Sequence, residues 1–306
     1  QWTEWQHFVI LDGSRGILLN FNLHAEEPVA TRVLALSTDG HRWQGGIEAV
    51  EATLRPGTVD CFFGRSSVRL TAEGYRIHLA TQHISGELRL EPVSAPLYIP
   101  GVRLDAQHRF HWLSVPRMVA SGHLRVGGRP WSLERVPAYH DHNWGAFSPR
   151  ADYSWEWGFA LPVQEEEPWS AVFMRVSDRA RHRCRVQGLA LWRDGRLFAS
   201  FRDGELQSRA EGIHHPPDLH LLPDALAHTL SSGGSMPRSF HMSASRGQDH
   251  LDLEVRPGAT SRILLPGGEN TAMVSEALAS VSLCGTIQER TVNFRGVGML
   301  EVTDAG

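Results

Sequence analysis

Apolar and polar residues alternate in short runs along most of this chain, and the runs come in pairs joined by glycine-containing turns. Phe8-Val9-Ile10-Leu11 is followed by Asp12-Gly13-Ser14-Arg15-Gly16 and then by an apolar-rich run from Ile17 to Leu23. The same grammar recurs at residues 68–70 and 75–80 around Ala72-Glu73-Gly74, and at residues 122–126 and 129–133 around Gly127-Gly128. A fourth copy occupies residues 188–192 and 196–199 around Arg193-Asp194-Gly195. Period-two alternation bounded by such turns predicts β-hairpins. One face of each strand then lines a core or a cavity while the other points away. Helical spacing is almost absent, the best candidate being a short turn from Pro223 to His228.

Regular hairpins without helices predict an all-β protein, built as sandwiches or up-and-down barrels. At 306 residues the chain has enough material for two cores. The expected division is an N-terminal β domain over residues 1–160 and a C-terminal β-barrel domain over residues 161–306. The acidic stretch Pro162-Val163-Gln164-Glu165-Glu166-Glu167-Pro168 is read either as the boundary or as a solvated hairpin tip inside the second domain.

Composition narrows the chemistry. A net charge of -4 gives no electrostatic reason to expect nucleic acid or an anionic membrane as partner. The apolar runs are too short for a transmembrane helix. No basic segment leading into an apolar stretch follows Gln1, so the expected compartment is the cytoplasm, with a removed leader left open. All 30 basic residues are Arg, which removes Schiff-base lysine chemistry and the phosphate-loop lysine together. Cys61, Cys184 and Cys284 are odd in number and far apart, so neither a CxxC pair nor a disulfide framework is available. They are expected to be small buried apolar residues.

The densest chemistry lies in Tyr139-His140-Asp141-His142-Asn143-Trp144-Gly145. On a strand, Tyr139, Asp141 and Asn143 share one face and His140, His142 and Trp144 the other. Three readings are compatible with this segment. His-x-His supplies two metal ligands, completed by His111, His123 or Glu156. An acid beneath aromatic rings serves as a proton donor. Alternatively, Asp141 and Asn143 shape a turn before Gly145 while the rings pack. Six of the ten tryptophans, Trp112, Trp131, Trp144, Trp155, Trp157 and Trp169, fall between residues 112 and 169. That concentration suits a pocket for a flat or extended apolar ligand. His214-His215-Pro216-Pro217-Asp218-Leu219-His220 reads as an exposed loop.

Trp112 and Pro116, then Ala138-Tyr139-His140-Asp141-His142-Asn143-Trp144-Gly145, then Tyr153-Ser154-Trp155-Glu156-Trp157-Gly158 together resemble the carotenoid 1,2-hydratase (hydroxyneurosporene synthase) superfamily. That lipocalin-like group includes predicted secreted hydrolases, tocopherol-cyclase-like proteins and lipocalin-like Diels-Alderases. The specific match covers about 50 residues, from Phe110 to Phe159; Glu4-Trp5-Gln6-His7-Phe8 and Gly296 to Glu301 extend it weakly. The resemblance implies two lipocalin-like β domains with an apolar pocket in or between them, and catalysis without a cofactor; no metal is expected at the His-x-His pair, because its spacing alone is not specific. It makes Asp141 the proton donor, supported by Tyr139, with Trp112 lining the pocket and stabilising the cation. From the residues themselves, strand alternation adds Asn143 to the catalytic face, and the density of rings adds Trp144, Trp155, Trp157, His140 and His142 to the expected substrate site.

The expected activity is that of a cofactor-independent cyclase or hydratase acting on a hydrophobic polyene, isoprenoid or polyketide. A pericyclase and a non-catalytic carrier of an apolar ligand are the alternatives. The residues around Trp112 depart from the hydratase pattern, which leaves the substrate open. No G-x-S-x-G elbow supports a hydrolase.

Overall fold

The structure is a computed structural model that describes residues 2–25, 30–55, 58–147, 153–163, 167–216, 218–223, 236–265 and 272–305. The chain divides into two compact units, one of residues 1–39 and 43–148, the other of residues 40–42 and 149–306. Regular structure among the described residues is β-strand, apart from one 3-10 turn at Asp203–Glu205.

In the first unit the strands are β1 (Trp2–Asp12), β2 (Arg15–Ala25), β3 (Ala30–Thr38), β4 (Trp43–Ala49), β5 (Ala52–Leu54) and β6 (Asp60–Phe63). They continue as β7 (Ser66–Thr71), β8 (Gly74–Ala80), β9 (Ile84–Pro92), β10 (Leu97–Arg103), β11 (Arg109–Val126) and β12 (Arg129–Ala146). Their order in one sheet is β4-β3-β2-β1-β12-β11-β9-β8-β7-β6-β5, with β10 also on β11. Val33 of β3 and Cys61 of β6 sit far apart in this order yet share one core with Phe8, Leu19, Val115 and Tyr75. The sheet therefore curls so that one face encloses its own core.

The second unit contains β13 (Tyr153–Pro162), β14 (Trp169–Asp178), β15 (Cys184–Arg193), β16 (Arg196–Arg202) and β17 (Leu206–Glu211). It ends with β18 (Leu219–Leu222), β19 (Ser239–Arg246), β20 (Asp249–Leu265), β21 (Ala272–Ile287) and β22 (Arg290–Ala305). Their order is β16-β15-β14-β13-β22-β21-β20-β19-β17, with β18 parallel to β20. Phe173, Phe201, Phe240 and Phe294 meet in its core.

All four hairpins read from the sequence are present. Because β13 pairs with β14 and β22, residues 153–160 belong to the second sheet, and the units part at residue 148 rather than 160. The acidic stretch after Pro162 thus connects the paired strands β13 and β14, with residues 164–166 outside the described ones. The helical turn read at 223–228 falls outside the described residues from 224 onward. Of the cysteines only Cys61 is buried; Cys184 and Cys284 are exposed, on the solvent-facing alternation of their strands.

Two local features position the central segment. Pro116 has no N–H to give a ladder, and the β11–β12 register shifts between Val115 and Met118. Here β11 also changes its other neighbour, pairing with β10 before the shift and β9 after it. Gly145 has φ +155°, and a Cβ there would lie 2.4 Å from the Arg109 carbonyl oxygen and 2.7 Å from Phe110 Cα. Only glycine lets β12 pass this close to β11.

Candidate active site

Strand alternation on β12 gives Tyr139, Asp141 and Asn143 one face, turned away from the first unit's core. The register adds neighbours from three more strands. Asp141 is flanked by His7 of β1 and Ser114 of β11, and His7 in turn pairs with Asn20 of β2. One step along, Asn143 is flanked by Trp5 and Trp112, and Trp5 pairs with Asn22. Two transverse rows result: Asn20, His7, Asp141, Ser114, and Asn22, Trp5, Asn143, Trp112.

Asp141 is 2% exposed and Tyr139 is fully buried. A buried carboxyl group has to be compensated by donors. Tyr139 donates its hydroxyl proton to Asp141 Oδ2 at 3.1 Å, Trp112 Nε1 donates to the same oxygen at 3.4 Å, and Asn143 Nδ2 donates to Oδ1 at 3.1 Å. Since the phenolic proton is directed at Asp141, the Ser114 hydroxyl, 3.1 Å from the Tyr139 oxygen, is the donor in that contact. The chain runs Ser114 to Tyr139 to Asp141.

A second chain fixes His7. Asn22 Nδ2 donates to Asn20 Oδ1 at 2.6 Å, which turns the Asn20 amide nitrogen toward His7 Nδ1 at 3.3 Å. Nδ1 is then an acceptor and Nε2 carries the ring proton. Burial lowers the pKa of His7 to about 3, so the imidazole is neutral. The sequence reading missed His7, Asn20, Asn22 and Ser114. Part of their signal was present: Asn20 and Asn22 alternate around Phe21 in an otherwise apolar strand, Gln6-His7 precedes the apolar run Phe8 to Leu11, and Ser114 stands between Leu113 and Val115.

His140, His142 and Trp144 project to the opposite face. His140 Nδ1 donates to the His7 backbone carbonyl at 3.0 Å, and its ring stacks on Phe8 at 4.2 Å. Burial chiefly, with the neighbouring His142, holds its pKa well below the ordinary histidine range. His142 Nε2 lies 2.9 Å from Glu4 Oε1. Trp144 stacks with His111 at 5.3 Å and with Tyr98 at 5.8 Å. Among the described residues, His140 and His142 join no third His, Cys, Asp or Glu within metal-sharing distance. Of the third ligands weighed, His111 bonds Tyr98, His123 bonds Ser132, and Glu156 is ion-paired with Arg175 and Arg181 in the second unit.

Trp155 and Trp157 belong to β13 of the second unit, so the clustered tryptophans are spread over both units and several faces. Trp131, for example, donates to Asp12 at the far end of the first sheet. Trp155 Nε1 donates to Glu301 Oε1. Glu301 is the cross-strand partner of Glu276 and hydrogen-bonds to it; burial raises its pKa, while Glu276 and Trp155 lower it. Beyond Glu276 lie Ser261 and His220, joined at 3.0 Å. His220 is therefore part of a strand rather than of the exposed loop expected at 214–220. The two glutamates were legible only as lone acids in apolar strands, a signal the reading passed over.

The fold defines a protein of two lipocalin-like β units, as the central motif implied. Solved structures with this fold include a protein designated AttH from Nitrosomonas europaea, at TM-score 0.68 and 13% identity, covering 98% of this chain and 92% of the other. Kievitone hydratase from Nectria haematococca matches at TM-score 0.67 and 13% identity, covering 98% and 88%. CghA, solved with Sch210972, matches at TM-score 0.70 and 12% identity, covering 99% and 88%. Identity this low carries the fold and not the reaction. No protein-family model matches the sequence, and a comparison with curated proteins finds no match.

Proposed function

We propose that this protein is a cofactor-independent enzyme of the hydratase or cyclase type, acting on a hydrophobic polyene, isoprenoid or polyketide intermediate. One observation carries the reading: the buried relay from Ser114 through Tyr139 to Asp141, clamped by Asn143 and Trp112. Asp141, once protonated, gives its proton to an alkene carbon. The resulting cation is captured by water or by a second double bond. The proton released by that water, or by ring closure, returns to the carboxylate, so the cycle balances without an external reagent. Tyr139 and Asn143 hold the carboxyl group in place, and the Trp112 indole forms an electron-rich wall. The fold likeness to kievitone hydratase is consistent with addition of water.

Three donors converge on the one carboxyl group of Asp141. That observation supports a second reading, in which Asp141 orients Tyr139 and Asn143, and these polarise a substrate undergoing a pericyclic closure. The deciding experiment incubates wild type and Asp141→Asn with a panel of linear isoprenoid and polyketide polyenes, followed by mass spectrometry and chromatography. Product heavier by one water marks hydration; unchanged mass with altered retention marks ring closure. Proton donation by Asp141 requires that Asp141→Asn lose turnover. Survival within about threefold, under 1 kcal/mol in barrier, removes that role. Quenching of tryptophan fluorescence with every polyene and product with none would instead identify a carrier.

A further inference from the structure

Two asparagines on β2 stand behind the Asp141 row and take no part in the relay of Ser114, Tyr139 and Asp141. Asn20 lies directly across from His7, and His7 directly across from Asp141, so the three are consecutive members of one transverse row on β2, β1 and β12. Directly opposed side chains on one face have Cβ atoms about 4.5–5.5 Å apart. His7 and Asp141 are each 2% exposed, a setting in which a wrongly turned polar group is costly.

An asparagine amide presents either its oxygen or its nitrogen to a neighbour, and half a turn exchanges them. For Asn20 the choice is made from behind. The Asn22 amide donates to Asn20 Oδ1 at 2.6 Å, which commits the oxygen and leaves Asn20 Nδ2 for His7 Nδ1 at 3.3 Å. Nδ1 then accepts, and the single proton of the neutral ring sits on Nε2. Because Asn20 approaches from β2, the lone-pair end of the ring is turned to β2 and the N–H end away from it, while Asp141 lies on the other side of β1. An N–H turned to that side is complementary to carboxyl oxygens; a lone pair there would repel them.

We propose that Asn22 and Asn20 are positioning residues of the Asp141 site, acting in series through His7 to fix which of its ring nitrogens carries the proton. They thereby keep a donor rather than a lone pair beside the carboxyl group. The proposal rests on the reading of Asp141 as proton donor.

The relay can be reversed without touching His7. A carboxylate has only acceptors, so in Asn22→Asp the Asn20 amide turns its nitrogen to residue 22 and its oxygen to His7, and the ring proton moves to Nδ1. Asn22→Leu, which adds no charge, releases Asn20 to turn either way. Ring nitrogen spectra of the full chain labelled at histidine, with His7 assigned by its loss in His7→Gln, read the tautomer directly. Wild type should show the proton on Nε2, Asn22→Asp on Nδ1, and Asn22→Leu a mixture. With the polyene that yields product, kcat should fall about tenfold in Asn22→Asp and less in Asn22→Leu, with KM within about twofold, because no substrate contact is lost. The neutral variant separates orientation from added charge, and it carries the test if Asn22→Asp does not fold. The proposal is overturned by a proton on Nδ1 in wild type, by an unchanged tautomer in either variant whatever its turnover, or by full turnover in a variant whose tautomer has changed while Asp141→Asn is inactive. That last result leaves Asp141 as the proton donor. Turnover surviving in Asp141→Asn overturns the proton-donor reading and this proposal together, so Asp141→Asn tells the two failures apart.

Discussion

Tyr139 donates its phenolic proton to Asp141 across 3.1 Å, two residues along the same strand and with both side chains buried. Strand alternation places both groups on one face, and burial keeps water from competing for the bond. Under the hydratase reading, Asp141→Asn keeps the shape and removes the acid, and turnover should fall about a hundredfold or more. Tyr139→Phe should cost less, about tenfold, because Asn143 and Trp112 still hold the carboxyl group. Initial rates with the polyene that yields product check both; equal losses would show that the phenol itself moves the proton.

His7 and His140 predict a falling stability in acid. Burial lowers the folded-state pKa of His7 to about 3 and holds that of His140 well below the ordinary value of 6.5. Between the unfolded and folded values the unfolded chain binds more protons, so stability falls as pH drops below about 6.5. The slope is roughly 1.4 kcal/mol per pH unit for each histidine. Urea midpoints from pH 7 to pH 5 measure this, and His140→Phe should flatten the profile by one histidine's share. An unchanged slope would mean that His140 titrates normally in the fold.

Glu301 acts in the opposite sense. Burial raises its pKa above 4.5 beside Glu276, so the folded state holds a proton the unfolded chain releases. Its contribution is present at low pH and lost as pH rises through the raised value. Glu301→Gln, which keeps a hydrogen bond to Glu276 without the titration, should gain stability relative to wild type on going from pH 5 to pH 8. The difference between the two melting curves isolates this pair; a constant difference across that range would rule it out.

Gly145→Ala should destabilise by about 1–3 kcal/mol through backbone strain where β12 crosses β11. The new methyl group would meet the Arg109 carbonyl at 2.4 Å. A thermal melt reads the loss directly. Since Gly145 is two residues from Asn143, the variant should also show weaker ordering of the Asp141 clamp.

The sequence by itself determined the local layers of this protein. Period-two alternation around Asp12-Gly13 and Gly127-Gly128 specified the hairpins, because strand geometry depends on neighbours a few residues away. Alternation likewise split Tyr139, Asp141 and Asn143 from His140, His142 and Trp144, since face depends only on parity along a strand. Only the tertiary structure decided which strands lie side by side. Register brought His7 and Ser114 to either side of Asp141 from positions 134 and 27 residues away, and no local pattern encodes such pairings. Register also assigned Trp155 and Trp157 to the second sheet and set Glu276 against Glu301. Burial of His140 and Gln6 on the core-facing side follows from how the sheet curls, a property of all its strands together.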